Sequence, residues 1–432
     1  MAKQQARAPS RKRFHIVLVP GFGGFDALGQ LEYYGGVTPL FRTRKAKNEV
    51  LHYFDNLPTA AVATRAGRLQ RYLARRIARG EILPSDEITL IGHSTGGLDI
   101  RWLFWNPPRL NQPIFVDGGT KVEPDEILDR VRRVVFLSVP HWGTNIADWV
   151  RARKIWRETL VTELRGAVVG SQVPLLDRAE DLIAGGAACL TGAGLLRAVQ
   201  DSLREADERM GKPSPERTAG AQEAASQLEL YLRHMASDFR AIDDLTSQRP
   251  KSGPLSPAHF NDEERKQELK LWGDRIATRS YVTLGKRVFQ FDAGRPAPEL
   301  DLVKPWTYPE IAKDTRRSAG TDIVYRFCYR ACAGGPFDWP TPSLSGKVAK
   351  PHAIELWDND GIVNTASMLW PRGDNVLVPG DHMDIVGQFQ PVKANRGEGR
   401  TYQAYNLLKS DSGFNEDSFR EVWTEIFDFC AG

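Results

Sequence analysis

Cysteine is scarce in this chain. Four cysteines among 432 residues make no disulfide framework, so stability has to come from a buried apolar core. Cys328 and Cys332 are four residues apart and would meet only if their segment bends; isolated reduced thiols are the expectation. Long apolar runs are missing too. The longest uncharged stretch, 182–196, is diluted with Gly and Ala and falls short of the about 20 residues that a membrane-crossing helix needs. Neither sign of charge dominates: 58 Lys and Arg stand against 54 Asp and Glu, a net of +4. That gives no general case for a nucleic-acid partner. No internal repeat is visible.

What is there is the composition of a globular protein, 41% apolar and 26% charged, and long enough for one large core with an insertion or for two domains. Basic residues do cluster at the start. Lys3, Arg7, Arg11, Lys12 and Arg13 precede the first acid, Asp26, and read as a solvated, disordered tail over 1–13. No secretory signal follows, because the apolar run 14–20 is short and meets glycines directly. The expectation is a cytoplasmic protein if the chain is complete, and a secreted one if a leader was removed.

Apolar, β-branched runs alternate with longer helical patterns, which predicts an α/β fold with a mostly parallel sheet flanked by helices. The candidate strands are 14–20, 49–54, 87–92, 133–139, 278–285, 353–357 and 375–379. Their continuous apolar character suits strands buried on both faces. Between the second and third strands, Val62, Leu69, Leu73 and Ile77 recur near helical spacing, and Gly80 is a natural stop. The chain closes in an amphipathic pattern over 419–430. Residues 150–275 are mostly helical in pattern, with a Pro/Gly loop at 211–220. The sheet is thus built from 14–149 and 276–432, with 150–275 inserted as a helical lid or cap. Residues 291–350, rich in Pro and Gly, form a second excursion.

One five-residue stretch carries chemistry. Gly92-His93-Ser94-Thr95-Gly96 follows the apolar run 87–92 and precedes a helical pattern. A serine on a tight strand-to-helix turn, with glycines that let the backbone make it, is the nucleophile geometry of α/β-hydrolases. A serine hydroxyl needs a base to take its proton and a third group to orient that base. In this fold the order along the chain is serine, acid, histidine. His382 stands on a loop after the late strand 375–379. Asp358 and Asp360 both follow the run 353–357 and precede His382. Asp360 is favoured because its Asp-Gly turn can aim the side chain inward; Asp358 is the fallback, with turn capping as its ordinary role. The oxyanion needs backbone donors already in place. Thr95 N–H follows the nucleophile, and Phe22 N–H lies in the glycine loop 21–24 after the first strand. That loop fits neither dinucleotide nor P-loop spacing.

Several segments together resemble the true lipases of the Geobacillus and Staphylococcus kind, within the α/β-hydrolase superfamily. They are "VPGFGGF" (19–25), "LEYYGGV" (31–37), "GHSTGG" (92–97), "LSVPHWGT" (137–144), "NDGIVNTASM" (359–368) and "DHMDIVG" (381–387). The likeness spans about 14–144 and 278–390 and leaves the middle insertion unmatched. It implies the acid at Asp360 and the base at His382. It departs from the family at Pro20, where a histidine is common. Zinc is not implied, because 53–94 holds only His93 where the family carries ligand histidines. Calcium is admitted through Asp384, which matches one carboxylate position near the histidine loop; the other ligands have no counterpart. No cofactor is required.

The resemblance also gives the insertion a meaning. The apolar segment 173–199 would serve as a lid that binds acyl chains and touches a lipid surface transiently, or as a fixed helical cap. The expected function is a serine carboxylester hydrolase, a lipase or esterase, with an ester or lipid as substrate. A polyester depolymerase and an acyltransferase would use the same residues. A catalytically inactive hydrolase fold acting as a binding module is the reading from a different class.

Overall fold

Six of the apolar runs become strands of one sheet, because a run apolar without alternation has to be covered on both faces. They are β1 (Phe14–Val19), β2 (Glu49–Tyr53), β3 (Glu87–His93), β4 (Val131–Leu137), β5 (Ala277–Leu284) and β6 (Asp374–Pro379). Their spatial order is β6-β5-β4-β3-β1-β2, and every neighbouring pair is parallel. The computed structural model describes residues 12–24, 27–28, 31–105, 112–152, 230, 234, 237–249, 255–288, 323–334, 354–389, 406 and 408–432. Two short antiparallel hairpins, Ala27–Leu28 with Leu31–Glu32 and Ile114–Val116 with Thr120–Val122, lie outside the main sheet.

Parallel strands need crossovers, and helices supply them. α1 (Val62–Ala78) buries Val62, Ala66, Leu69, Leu73 and Ala74 along one face. It stops where expected, at Gly80, whose φ of 68° only glycine adopts freely. α2 (Thr95–Trp105) follows β3 directly. α3 (Asn145–Ala152) and α4 (Asp262–Trp272) lie between β4 and β5, and α5 (Ile323–Ala333) lies between β5 and β6. α6 (Glu416–Ala431) is capped by the Asn415 side chain, which accepts from Asp417 N and Ser418 N. It buries Phe419, Trp423, Ile426 and Phe427, and its Trp423 indole N–H donates to Ile385 O at 2.8 Å. Among the described residues no helix is long and apolar enough to cross a membrane.

One large core runs through both halves of the sheet. It also takes in Phe239, Ile242, Leu245, Ala258 and Trp272, all from the later part of 150–275. The segment 173–199 and the loop 211–220 lie outside the described residues, as do the tail 1–11 and residues 291–322. The expected strand at 353–357 is not formed where it is described. Glu355 and Asp358 instead close a turn, with Asp358 N donating to Glu355 O at 3.0 Å. Leu356 is 41% exposed there, so this run is not covered on both faces as the six strands are. Cys328 and Cys332 are buried on α5 and not joined by a disulfide; one helical turn holds their Cβ atoms about 5–6 Å apart, beyond disulfide reach.

Candidate active site

All the residues singled out by sequence lie at the carboxyl ends of the strands, where open α/β sheets leave a crevice. β1 runs into the 20–24 loop, β3 into Ser94, β4 into Ser138 and β6 into the His382 loop. In-register pairs Val19 with Gly92, His93 with Leu137, and Leu284 with Pro379 bring these exits level.

Ser94 sits on a sharp turn between β3 and α2 with φ at 51°. For a residue with a side chain this left-handed conformation costs about 1–2 kcal/mol, and such strain marks functional positions. Its amide donates to Leu137 O at 2.8 Å, and its carbonyl accepts from Gly97 N at 3.0 Å. The turn has no room for larger neighbours. A Cβ on Gly96 would stand 2.4 Å from Val19 O, and one on Gly21 would stand 2.6 Å from Ser94 Cβ. The glycine loop after β1 is therefore pressed directly against the serine.

His382 and Asp360 are joined. His382 Nδ1 lies 2.7 Å from Asp360 Oδ2, and His382 N donates to Asp360 O at 3.0 Å. Asp360 is also held by Ile362 N at 3.0 Å and Val363 N at 2.7 Å on Oδ1, and by Thr283 Oγ1 at 2.6 Å on Oδ2. A carboxylate only accepts, so the imidazole proton lies on Nδ1 and Nε2 is the nitrogen left to act as a base. Asp358 is elsewhere. Its oxygens take Arg287 Nε at 2.7 Å and Nη2 at 2.5 Å, and one also accepts Glu355 N. It holds its turn and does not reach His382.

Ser94 is tied to this pair through its chain neighbour. The rings of His93 and His382 lie 4.7 Å apart, and His93 Nε2 is 2.9 Å from His382 O. A carbonyl only accepts, so His93 carries its proton on Nε2. Its bare Nδ1 then accepts from Tyr33 Oη at 2.6 Å, and Tyr33 Oη accepts from Gly21 N at 3.0 Å. Burial, then the nearby His382, holds His93 well below the ordinary histidine range, so it stays neutral. This one chain of hydrogen bonds links the glycine loop, the serine turn and the base loop. Among the described residues, the bonds His382 makes run to Asp360 and His93 and none reaches Ser94 Oγ; in ligand-free sites such contacts often tighten only with substrate.

The candidate oxyanion donors come from the same two segments. Thr95 is the first residue of α2, where amides have no acceptor within the helix and the dipole favours negative charge. Phe22 is on the glycine loop, its ring buried edge-on against Phe239 at 5.7 Å. That loop is clamped by Arg65, a wholly buried arginine of α1. Arg65 donates to Pro20 O at 2.7 Å, Gly21 O at 3.2 Å, Leu57 O at 2.7 Å and Pro58 O at 3.2 Å. Its charge is met by buried Asp99 at 2.9 Å. Burial pushes Asp99 up to about 6, with Arg65 pulling against it.

Sequence reasoning missed Arg65, Asp99, Tyr33, His93, Thr283 and Ser138. Arg65 looks like any other arginine of a basic helix, and only its inward phase on α1 distinguishes it. Tyr33 and Ser138 fell within segments noted for resemblance, yet no spacing assigns them partners.

Asp384 accepts Asp381 N at 2.8 Å and Ser412 Oγ at 2.7 Å on Oδ2. Burial, then Asp381, pushes its carboxyl up. Among the described residues no group of three or more His, Cys, Asp or Glu side chains converges as a metal ion requires.

No family model matches this sequence, and no curated protein does. Solved structures of similar chain trace include the Staphylococcus hyicus lipase, 15% identical, covering 99% of this chain and 97% of that one with a TM-score of 0.46. Lipase 1 from Pelosinus fermentans is 16% identical over 96% and 99% of the two chains, TM-score 0.42. EstA from Clostridium botulinum is 16% identical over 93% and 87%, TM-score 0.40. At these identities and scores the likeness carries no functional argument.

Proposed function

We propose that this chain is a serine carboxylester hydrolase of the lipase or esterase type. Ser94 Oγ attacks the acyl carbonyl while His382 Nε2 takes its proton. Asp360 holds the imidazole in the Nδ1–H tautomer and stabilises the imidazolium that forms. Backbone N–H groups of Thr95 and Phe22 receive the oxyanion. The imidazolium returns its proton to the leaving alcohol, and water, activated by the same nitrogen, clears the acyl-enzyme.

The observation that carries this reading is the Asp360–His382 hydrogen bond, in a loop tied by its own backbone to the residue before Ser94. The strained φ of Ser94 supports it further. A binding module without activity would have no need to keep strain at the serine and a directed tautomer at the histidine. Depolymerase and acyltransferase readings use the same residues and differ in what the crevice admits. An ester or lipid is the proposed substrate class, with 173–199 as the segment that meets acyl chains.

The test is hydrolysis of p-nitrophenyl esters of graded chain length, with one emulsified lipid and one polyester beside them. Ser94→Ala should lose about 10⁴-fold or more in kcat while melting unchanged, and a fluorophosphonate probe should label wild type at Ser94 alone. Activity of Ser94→Ala within tenfold of wild type overturns the proposal.

A further inference from the structure

Asp360 is gripped by more than the histidine. Thr283, at the carboxyl end of β5, places Oγ1 2.6 Å from Asp360 Oδ2, the oxygen that also receives His382 Nδ1. Behind it, Ser138 Oγ lies 2.8 Å from Thr283 Oγ1. Ser138, Thr283 and Asp360 are all fully buried. The direction of the chain follows from acceptor chemistry. Asp360 as a carboxylate can only accept, so Thr283 donates its one hydroxyl proton there. Thr283 then has only lone pairs for Ser138, so Ser138 donates to it. The Met368 sulfur, 3.3 Å from Thr283 Oγ1, is a much weaker acceptor than the carboxylate.

A second observation is independent of these distances. Ser138 holds φ at 50°, the same left-handed region as Ser94. It stands at the end of β4, on the strand next to the one that carries the serine. A residue with a Cβ gains nothing locally from that conformation. Here it is held by Ser138 N donating to Tyr281 O at 2.9 Å, and it turns the hydroxyl toward Thr283. Two buried hydroxyls that needed only each other would not require strain or the carboxylate.

We infer that Thr283, backed by Ser138, is a positioning residue that sets the aim and the basicity of Asp360; this rests on reading Asp360 as the catalytic acid. A hydrogen bond onto Oδ2 draws charge away from the oxygen that faces the imidazole. The carboxylate therefore stabilises the imidazolium less than it would alone. Losing the hydroxyl makes Oδ2 more basic, strengthens its hold on the imidazolium, and raises the pH at which His382 becomes free to accept a proton. It also leaves Oδ2 with one restraint fewer, so that the carboxylate drifts from its aim at the imidazole, which lowers kcat without touching substrate binding.

The experiment measures pH profiles of kcat/KM for a p-nitrophenyl ester, read by titrating the released acid. The enzymes compared are full-length wild type, Thr283→Val, Thr283→Ser and Ser138→Ala, each melted alongside. In Thr283→Val, which keeps shape and removes the hydroxyl, the acid limb should move up by roughly half a pH unit or more. Its kcat should fall about tenfold, the scale of one charge-assisted hydrogen bond, with KM within about twofold. Thr283→Ser should restore both. A folded Thr283→Val with the wild-type acid limb and kcat overturns the inference, and so does a folded Thr283→Ser that restores neither. Should Thr283→Val fail to fold, Ser138→Ala decides: a smaller upward shift supports the chain, and an unmoved limb refutes it. Ser94→Ala separates the two levels. If it stays active, the reading of Asp360 fails; if it is dead while Thr283→Val behaves as wild type, only the role of Thr283 fails.

Discussion

Gly21→Ala tests the link between the glycine loop and the serine with a single methyl. The backbone at Gly21 is not in the left-handed region, so alanine is refused by space alone. Its Cβ would meet Ser94 Cβ at 2.6 Å, Tyr33 Oη at 2.8 Å and His93 O at 3.0 Å. Carbon atoms rest about 3.5–4.0 Å apart, so roughly 1 Å must be recovered. Ser94 has no easy retreat, since its amide is bonded to Leu137 O. Tyr33 is bonded on both sides. The loop is the part that moves, against the Arg65 clamp, and it carries Phe22 N–H with it. A hydrogen bond of 2.7–3.2 Å does not survive a shift of about 1 Å. Losing one oxyanion donor lowers kcat by about 10²–10³, or roughly 2.7–4 kcal/mol in the transition state, and moves KM little. The overpacking itself costs about 1–3 kcal/mol of stability. Gly373→Ala is the control. Its φ is 69° and its Cβ would stand 2.0 Å from Thr278 O, just before β6 at the end of the sheet away from Ser94. That variant should lose melting temperature and keep kcat per folded molecule. The assay is p-nitrophenyl ester turnover normalised by fluorophosphonate-reactive enzyme, with circular dichroism melts. A Gly21→Ala enzyme with kcat within threefold of wild type would refute the argument, as would an equal kcat loss in Gly373→Ala.

Asp360→Asn should drop kcat by about 10⁴, because the amide leaves the imidazole in the wrong tautomer. Asp358→Asn should instead lower melting through the lost Arg287 pair and leave kcat within about threefold; equal losses in steady-state kinetics would undo the distinction between them. Glu268→Gln removes the charge that meets buried Arg101 at 2.7 Å and should cost about 3 kcal/mol or more in denaturant unfolding, a loss under 1 kcal/mol counting against it. Burial, with Asp243 and Asp99 adding to it, pushes Asp244 up to about 7. Between about pH 4, where an unfolded aspartate titrates, and 7, the folded chain holds a proton that the unfolded chain has released, so this group erodes stability as pH rises through that window. Asp244→Asn keeps an acceptor for Val62 N and should melt higher than wild type at pH 8 but not at pH 4. Parallel Tm–pH curves would contradict it.

Local pattern carries far in a protein of this kind. The apolar runs that became β1 to β6 could be read directly, because a strand covered on both faces is mostly apolar and its few polar side chains must find buried partners. The end of α1 at Gly80 and the amphipathic α6 were legible for the same local reason. So was Ser94 as a candidate, since the glycines that let a turn approach β1 so closely must be written around it. The run 353–357 misled because an apolar run looks alike whether it pairs with a strand or lies half-exposed in a turn. Asp358 and Asp360 are two residues apart on the same turn, with equal chemistry; only folding directs one carboxylate to Arg287 and the other to His382. The groups that hold the site together were invisible for a related reason. Arg65, Tyr33, His93, Thr283 and Ser138 come from five separate segments, and a hydrogen bond between residues dozens to hundreds of positions apart leaves no periodicity in the chain. The sequence by itself determined the sheet, the serine turn and the order of its candidate partners. Tertiary structure decided which polar groups face each other in the absence of water, and there each donor must find an acceptor.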